Sequence, residues 1–324
     1  MNINPNQSIK HAGELLQRYS KGERIFSNAQ LKGADLFKAN LSNIDLTDAN
    51  LERAILFRAI LTGAKLSRAN LKGADLVNSN LTDANLEGAQ LRGANLYGAD
   101  LSRANLASSD LVRSCLENAS FAEANLEKSN LTSANLTDAI FSNANLQEAI
   151  LQNAILKRTY LQEANLLQAN LIDADFSEAD LERAILKKVN LRGAQLNYAN
   201  LSYVTLLGTD LVSANLQSSN LTEADLFGVD LSKANLSYTN LTQVDLREAN
   251  LTGALMIGVD LSGADLFGTE LKNANLEGAN LEGVNLYRTK MNGTKLQGAS
   301  YNDKTEFPPK FEPTSHGMRK KNLI

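Results

Sequence analysis

The run Ala34-Asp35-Leu36-Phe37-Lys38-Ala39-Asn40-Leu41-Ser42-Asn43 repeats its own pattern after five residues. With the leucine position written i, a small residue stands at i−2 and Asp or Asn at i−1. Two variable residues follow at i+1 and i+2. Every fifth residue from Phe26 to Tyr301 is large and apolar, which makes 56 consecutive pentads. Leu fills nearly all of them; Phe26, Phe121, Phe141, Phe176, Met256, Met291 and Tyr301 are the departures. From residue 29 onward, i−2 is Ala, Ser, Thr or Val, with Ile44 as the one larger side chain.

Neither regular period accounts for this spacing. Residues five apart on an α-helix are separated by about 500°, so the leucines would spiral over every face. On a continuous strand, residues five apart point to opposite sides. The pattern works when each pentad is a short extended piece followed by a corner. In the extended piece i−2 and i share one side and i−1 takes the other. Ala and Leu therefore face inward, and Asn or Asp outward. Gly recurs at i+2, as in Gly33, Gly63, Gly73 and Gly193. A type II turn needs positive φ there, which Gly supplies without strain. Where i+2 is Arg, Ser or Glu, a different turn type is expected. Right-angled corners close one coil in four pentads, or 20 residues, so 56 pentads predict 14 coils. Coils stacked like parallel strands at about 4.8 Å would extend about 67 Å.

The echoes of Ala34–Asn43 resemble the A(D/N)LXX pattern of the pentapeptide-repeat family. The resemblance covers roughly 85% of the chain. It implies an all-β fold, a right-handed, four-sided parallel β-helix of about 14 coils. The spacing alone supplies the corners but not the hand. The chain then divides into an N-terminal segment with a capping helix (1–25), the repeat solenoid (26–301) and a C-terminal capping tail (302–324).

Both ends read as caps, since an open β-helix end exposes unpaired backbone and invites association. Residues 8–22 predict a short helix. Ser8 is its N-cap, Ile9, Ala12, Leu15, Leu16 and Tyr19 form one face, and Gly22 is its stop. The stretch from Glu14 to Arg24 is similar to the lead-in of cyanobacterial pentapeptide proteins. Their tails resemble Thr305-Glu306-Phe307-Pro308-Pro309-Lys310-Phe311-Glu312-Pro313, where Phe307 and Phe311 are expected to cover the last coil. The basic end, Met318 to Ile324, reads as a solvated tail.

Composition restricts the function classes. Net charge is −4, too weak to argue for nucleic acid or membrane. Aromatics are 6% and Trp is absent, so the core must be Leu and Ala. The single cysteine, Cys115, allows no internal disulfide. With no signal-like or membrane-spanning stretch, a cytoplasmic location is expected. His11 and His316 are the only histidines and lie near opposite ends, too few for a triad or metal cluster. No phosphate-binding or dinucleotide motif occurs. No enzymatic activity and no cofactor or metal is expected.

What remains is surface. Residues 20 apart should stack in columns. Phe37, Phe57, Val77 and Tyr97 align at i+1 on one face. On the opposite face, Leu167, Leu207, Phe227, Phe267 and Tyr287 align, interrupted by Lys187 and Arg247. Ile140, Ile150, Ile155 and Tyr160 replace Asn or Asp at i−1. Asp225, Asp245 and Asp265 form one acidic column, and Asp210, Asp230 and Glu270 a neighbouring one. Like charges at strand spacing repel, so such a ladder could hold a cation or meet a basic partner. Aligned apolar columns mark contact sites more often than scattered residues do. The expected function is a non-enzymatic scaffold for an unidentified protein partner. Phe37, Phe57, Tyr97, Leu207, Phe227, Phe267 and Tyr287 are its candidate contacts. The alternative is a DNA-mimicking modulator of DNA gyrase through the acidic columns, as the resemblance implies for some family members.

Overall fold

The computed structural model describes residues 9–321. The chain divides into two compact units, Met1–Thr159 and Tyr160–Ile324. Within each unit, residue n pairs in parallel with residue n+20, as in Asn50↔Asn70 and Asp225↔Asp245. Four pentads therefore complete one coil, and both units are β-helix-type solenoids.

Where Asn or Asp stands at i−1, the backbone donors of a pentad have defined acceptors, as the pentad around Leu71 illustrates. Ala69 N–H donates to Leu66 O at 3.0 Å, closing the preceding corner. Asn70 N–H reaches back one coil to Ala49 O at 2.9 Å. Leu71 and Gly73 N–H reach forward to Gln90 O at 2.7 Å and Arg92 O at 3.0 Å. Lys72 N–H has no such partner, and Asn70 Oδ1 accepts it at 3.2 Å. The outward Asn or Asp is thus an acceptor for the one donor that the coil ladder leaves over. Asn side chains also bond to one another between coils, as Asn70 Nδ2 does to Asn50 Oδ1 at 3.3 Å.

The inward positions are filled as the period requires. Leu, Phe and Ala of the repeat are almost completely buried, apart from Ala34 and Ala39 in the first coil, which are half-buried, each leucine contributing about 2 kcal/mol of apolar burial. Phe121 and Phe141 stack inside the first unit with ring centres 4.7 Å apart. Where Ser or Thr takes the Ala position, most of the hydroxyls bond a leucine carbonyl. Ser79 donates to Leu76 O at 2.7 Å and Thr239 to Leu216 O at 2.7 Å.

The corners differ from expectation. Every i+2 residue from Asn28 to Gly298 has positive φ, +51° to +62° for the other residues and +62° to +74° for Gly. Arg, Ser and Glu adopt the same left-handed corner as Gly; there is no second turn type. The next small residue donates back to Leu i whatever the corner residue, so the geometry is set by closure of the coil. Glycine answers a further demand at some corners. A methyl group on Gly258 would come within 2.8 Å of the Tyr238 ring, which lies across it from the preceding coil.

The ends also depart from the sequence reading. The helix α1 runs Ala12–Ser20, with His11 at its N-cap position and no side-chain cap. Ser8, the expected cap, lies outside the described residues. Leu15 and Ile9 are buried, but Leu16 is exposed. Ile9 O accepts Gln30 N–H at 2.6 Å and Tyr19 Oη donates to Ser42 O at 2.9 Å, tying the segment to the first coils. At the other end, strand β1 (Ser300–Tyr301) pairs in parallel with strand β2 (Arg319–Lys320). The expected solvated tail is therefore built into the ladder as far as Lys321, whose N–H donates to Tyr301 O at 2.7 Å. Met318 is buried, while Phe307 and Phe311 stay half-buried in a stack of ring centres 5.2 Å apart. No helix among the described residues is long and apolar enough to cross a membrane.

The uniform corner makes a measurable demand. Ser133 sits at φ +57° with no side-chain bond to lose. Ser133→Gly should raise the urea midpoint by the equivalent of about 1 kcal/mol, and Ser133→Val should lower it by about 1–2 kcal/mol. Equal midpoints for all three proteins would contradict a left-handed corner.

Candidate functional site

In the second unit, two sets of candidate residues fall on one face. Leu226, Leu246 and Leu266 point inward there. Asp225, Asp245 and Asp265 stand on one side of them, bridged coil to coil. Leu207, Phe227, Phe267 and Tyr287 stand on the other. Arg247 occupies the gap in this apolar column, and its guanidinium lies 5.6 Å from the Phe227 ring centre. It also grips Asp245 with two bonds, Nε to Oδ1 at 2.9 Å and Nη2 to Oδ2 at 2.6 Å. Its Nε is 3.9 Å from Asp265 Oδ2. One coil further, Phe267 and Tyr287 have ring centres 6.1 Å apart, and Arg288 lies 5.5 Å from Phe267. The residue that appeared to interrupt the column thus joins the aromatic and acidic halves of the face.

The aspartates themselves have structural work. Asp225, Asp245 and Asp265 each accept the N–H two residues on, from Phe227 at 3.2 Å, Arg247 at 3.1 Å and Phe267 at 3.0 Å. Hydrogen bonding from Arg247 holds the Asp245 carboxyl below the usual carboxylate range, and pairing with Asp245 pushes the guanidinium up. In the neighbouring column, Asp210 accepts Arg192 Nη1 at 3.2 Å, Asp230 accepts Asn250 Nδ2 at 3.1 Å, and Glu270 pairs with Lys290. Repulsion between stacked carboxylates is relieved by these cations and amides. No group of three or more His, Cys, Asp or Glu among the described residues could hold a metal ion. The signals for Arg192 and Lys290 were present in the sequence, at 18 residues before Asp210 and 20 after Glu270. They needed the coil geometry to be read.

The first unit carries its own aromatic column. Phe37 and Phe57 stack with ring centres 5.7 Å apart at 9°. Lys38 and Arg58 at the adjoining corner lie 4.9 and 5.3 Å from those two rings. Val77 is half-buried and Tyr97 exposed further along. Ile140, Ile150 and Ile155 are outward and partly exposed in this unit, and Tyr160 is exposed in the second. Cys115 is half-buried at an i−1 position. His11 and His316 lie in different units, His316 stacked on Phe311 with ring centres 4.5 Å apart.

A family model described as pentapeptide repeats matches residues 25–63, 59–98, 84–121, 99–138, 119–158, 139–177, 154–193, 190–226, 224–263 and 264–300. Among solved structures, the chain is similar to a pentapeptide repeat protein, Rfr23, from the cyanobacterium Cyanothece 51142. Identity is 36% over 29% of this chain and 63% of that one, with a TM-score of 0.29. It thus spans a little under two thirds of the length of that relative. It is also similar to HetL from the cyanobacterium Nostoc sp. strain PCC 7120, described as involved in heterocyst differentiation regulation. There identity is 29% over 89% of this chain and 94% of that one, with a TM-score of 0.19. QnrB1, a plasmid-mediated fluoroquinolone resistance protein, matches at 21% identity over 64% and 90%, with a TM-score of 0.32. No curated protein matches the chain.

The Arg247–Asp245 pair predicts a pH dependence. A carboxyl with a lowered folded-state pKa adds stability above its unfolded pKa and loses it as pH falls through the folded value. Arg247→Gln should therefore reduce stability at pH 7. The difference from the parent should shrink on acidification and vanish once Asp245 is protonated in both proteins. Urea midpoints between pH 7 and pH 2 measure it; a difference constant over that range would show that the pair contributes nothing.

Proposed function

This chain belongs to the pentapeptide-repeat family, and from that premise we propose that it is a non-enzymatic scaffold that binds a protein partner through a flat face of its second unit. The family brings with it a right-handed β-helix-type solenoid. The single observation that carries the proposal is the column Leu207, Phe227, Arg247, Phe267, Tyr287. It places one large side chain per coil outside the core, with Arg247 set between aromatic rings. Leu207, Phe227 and Tyr287 are exposed, so their apolar area is not spent on folding. Aromatic and Arg side chains are the residue types that dominate binding energy at protein interfaces. Asp225 and Asp265 give the face a polar margin. Neither direct nucleic-acid binding nor a cofactor is part of this reading, and the cytoplasm is its expected setting.

The acidic columns favour DNA mimicry of the gyrase-modulating kind less, because Asp210, Asp245 and Glu270 already hold Arg192, Arg247 and Lys290. Inhibition of gyrase supercoiling that requires Asp225 and Asp265 would reverse that preference.

The two ends belong to the same proposal: α1 with its flanking residues, and the segment from Asn302 to Lys321, act as caps. A chain lacking residues 1–24 would expose Phe26 and the first coil's backbone. It should form end-to-end oligomers, seen as increased light scattering; a monomer of unchanged stability would deny the segment that role.

The binding face is tested by Phe227→Ser with Phe267→Ser. In capture of native partners from the source organism, the double variant should retain less than about a thirtieth of the parent's affinity, as expected for a hot spot worth 2 kcal/mol. Its thermal transition should move little, since stacked cross-strand pairs contribute about 0.2–1 kcal/mol each. Thr222→Ala with Thr242→Ala, on the adjoining face, serves as the control. Unchanged capture by the Phe227 and Phe267 variant would make this column a structural ladder.

A further inference from the structure

A second surface, on the first unit, has a different chemistry. It comprises two adjoining faces, and its partner can be specified more closely. The inference rests on the scaffold reading and names a partner class for it. One face has Leu31, Leu51, Leu71 and Leu91 inward, the next Leu36, Leu56, Leu76 and Leu96. Outward, at and beside the corner between them, stand Arg53, Lys72 and Arg92 on successive coils, all exposed. Among the described residues, none of these three is in an ion pair. Glu52, their acidic neighbour, pairs with Lys32 at 2.9 Å, and Arg53 and Lys72 also lie close enough to help lower its carboxyl pKa. Asp35 and Asp75 direct Oδ1 to the N–H groups of Phe37 at 3.1 Å and Val77 at 3.2 Å. The other two faces of these coils behave differently. There Arg68 and Arg103 are held by Asp48 at 2.7 Å and Asp83 at 2.8 Å. Cations therefore outnumber carboxylates at this corner, Lys32, Arg53, Lys72 and Arg92 against Asp35, Glu52 and Asp75, and the outward column Asp35, Ile55, Asp75 and Asn95 lies between it and the aromatic column of Phe37, Phe57, Val77 and Tyr97.

We propose that this corner binds an amphipathic α-helix whose apolar stripe is flanked by Asp and Glu, laid along the stacking direction of the coils. The spacings agree. Coils repeat at about 4.8 Å and helix turns at about 5.4 Å. One carboxylate per turn then meets one cation per coil, and over three coils the register drifts by about 1 Å. The long stems of Arg53, Lys72 and Arg92 absorb that drift. The apolar stripe, recurring every three to four residues, meets the column that begins at Phe37 and Phe57. A single-stranded nucleic acid satisfies the cations but not the rings. Phe37 and Phe57 stack on each other, with Lys38 and Arg58 close to their rings. Base stacking would need an open aromatic face.

The test uses the full chain and helical peptides of about 20 residues with one shared apolar stripe, flanked by Glu, Gln or Lys. An oligothymidylate of comparable charge is the nucleic-acid probe. Fluorescence anisotropy should rank Glu above Gln by at least tenfold and Lys last, with affinity falling as salt is added. Arg53→Glu combined with Lys72→Glu and Arg92→Glu should reduce affinity for the Glu peptide at least tenfold while leaving the thermal transition in place. Phe37→Ser should reduce it with the charge order preserved. Binding indifferent to flank charge, binding untouched by the charge reversal, or tighter binding of oligothymidylate would each overturn the proposal. Failure of the peptide series while a native partner is still captured through Phe227 and Phe267 removes this surface and leaves the scaffold reading standing. Failure to capture any native partner removes the scaffold reading.

Discussion

The corner is the constraint on which the rest depends. Each quarter of a coil is turned by one residue in the left-handed region, whose following neighbour donates back to the leucine carbonyl. For a residue other than glycine this conformation costs about 1–2 kcal/mol, and it recurs at every pentad. The compensation is local and repeated. A buried leucine, ladder bonds to the coils before and after, and an Asn or Asp accepting the remaining N–H all depend on the chain turning at that point. Lose the corner and the leucine leaves the interior, the ladder loses register and the outward acceptor has no donor. That coupling explains why so regular a pattern can span Arg, Tyr, Glu and Ser at the corner without changing shape.

Much of this was legible before any coordinates. The five-residue period located the inward Leu and Ala, the outward Asn or Asp and the 20-residue coil, because burial and alternation are short-range consequences of residue type. The uniform corner is not legible in the glycines, which occupy only some of the i+2 positions. The better signal was an exclusion: no Val, Ile or Thr occupies any i+2 position from Asn28 to Gly298. Branching at Cβ is what the left-handed region tolerates least, whereas Arg or Glu enters it at moderate cost. The role of Asn and Asp is legible only in part. Their outward direction followed from alternation, but their capture of the i+1 N–H depends on a backbone donor that the period alone leaves unassigned.

The surface was legible in columns and not in pairings. Phe227 and Phe267 could be aligned by counting in twenties, yet Arg247 between them looked like a defect. Its guanidinium reaches both the ring of Phe227 and the carboxylate of Asp245, which is a matter of side-chain conformation. Such reach has no periodic signature. The tail shows the same limit. A run of Arg and Lys ordinarily signals solvation, and Arg319, Lys320 and Lys321 are indeed exposed. What holds the segment in the ladder is backbone pairing with Ser300 and Tyr301 and the burial of Met318, to which Lys320 and Lys321 add ion pairs with Asp303 and Glu282, none of which a count of basic residues reveals.

The 20-residue coil also governs how such a chain can change length. Loss of a single pentad keeps every leucine inward and every corner closed, so the fold itself is indifferent to it. The surface is not, because all later columns of that solenoid rotate by one face. Aromatics that stood in line would then be interrupted by residues from the neighbouring side. Only gains or losses in multiples of 20 residues preserve a composite face such as Asp225–Phe227–Arg247–Phe267. Selection acting through a binding face should therefore tolerate insertions and deletions in whole coils and reject single pentads, while selection on folding alone would accept both.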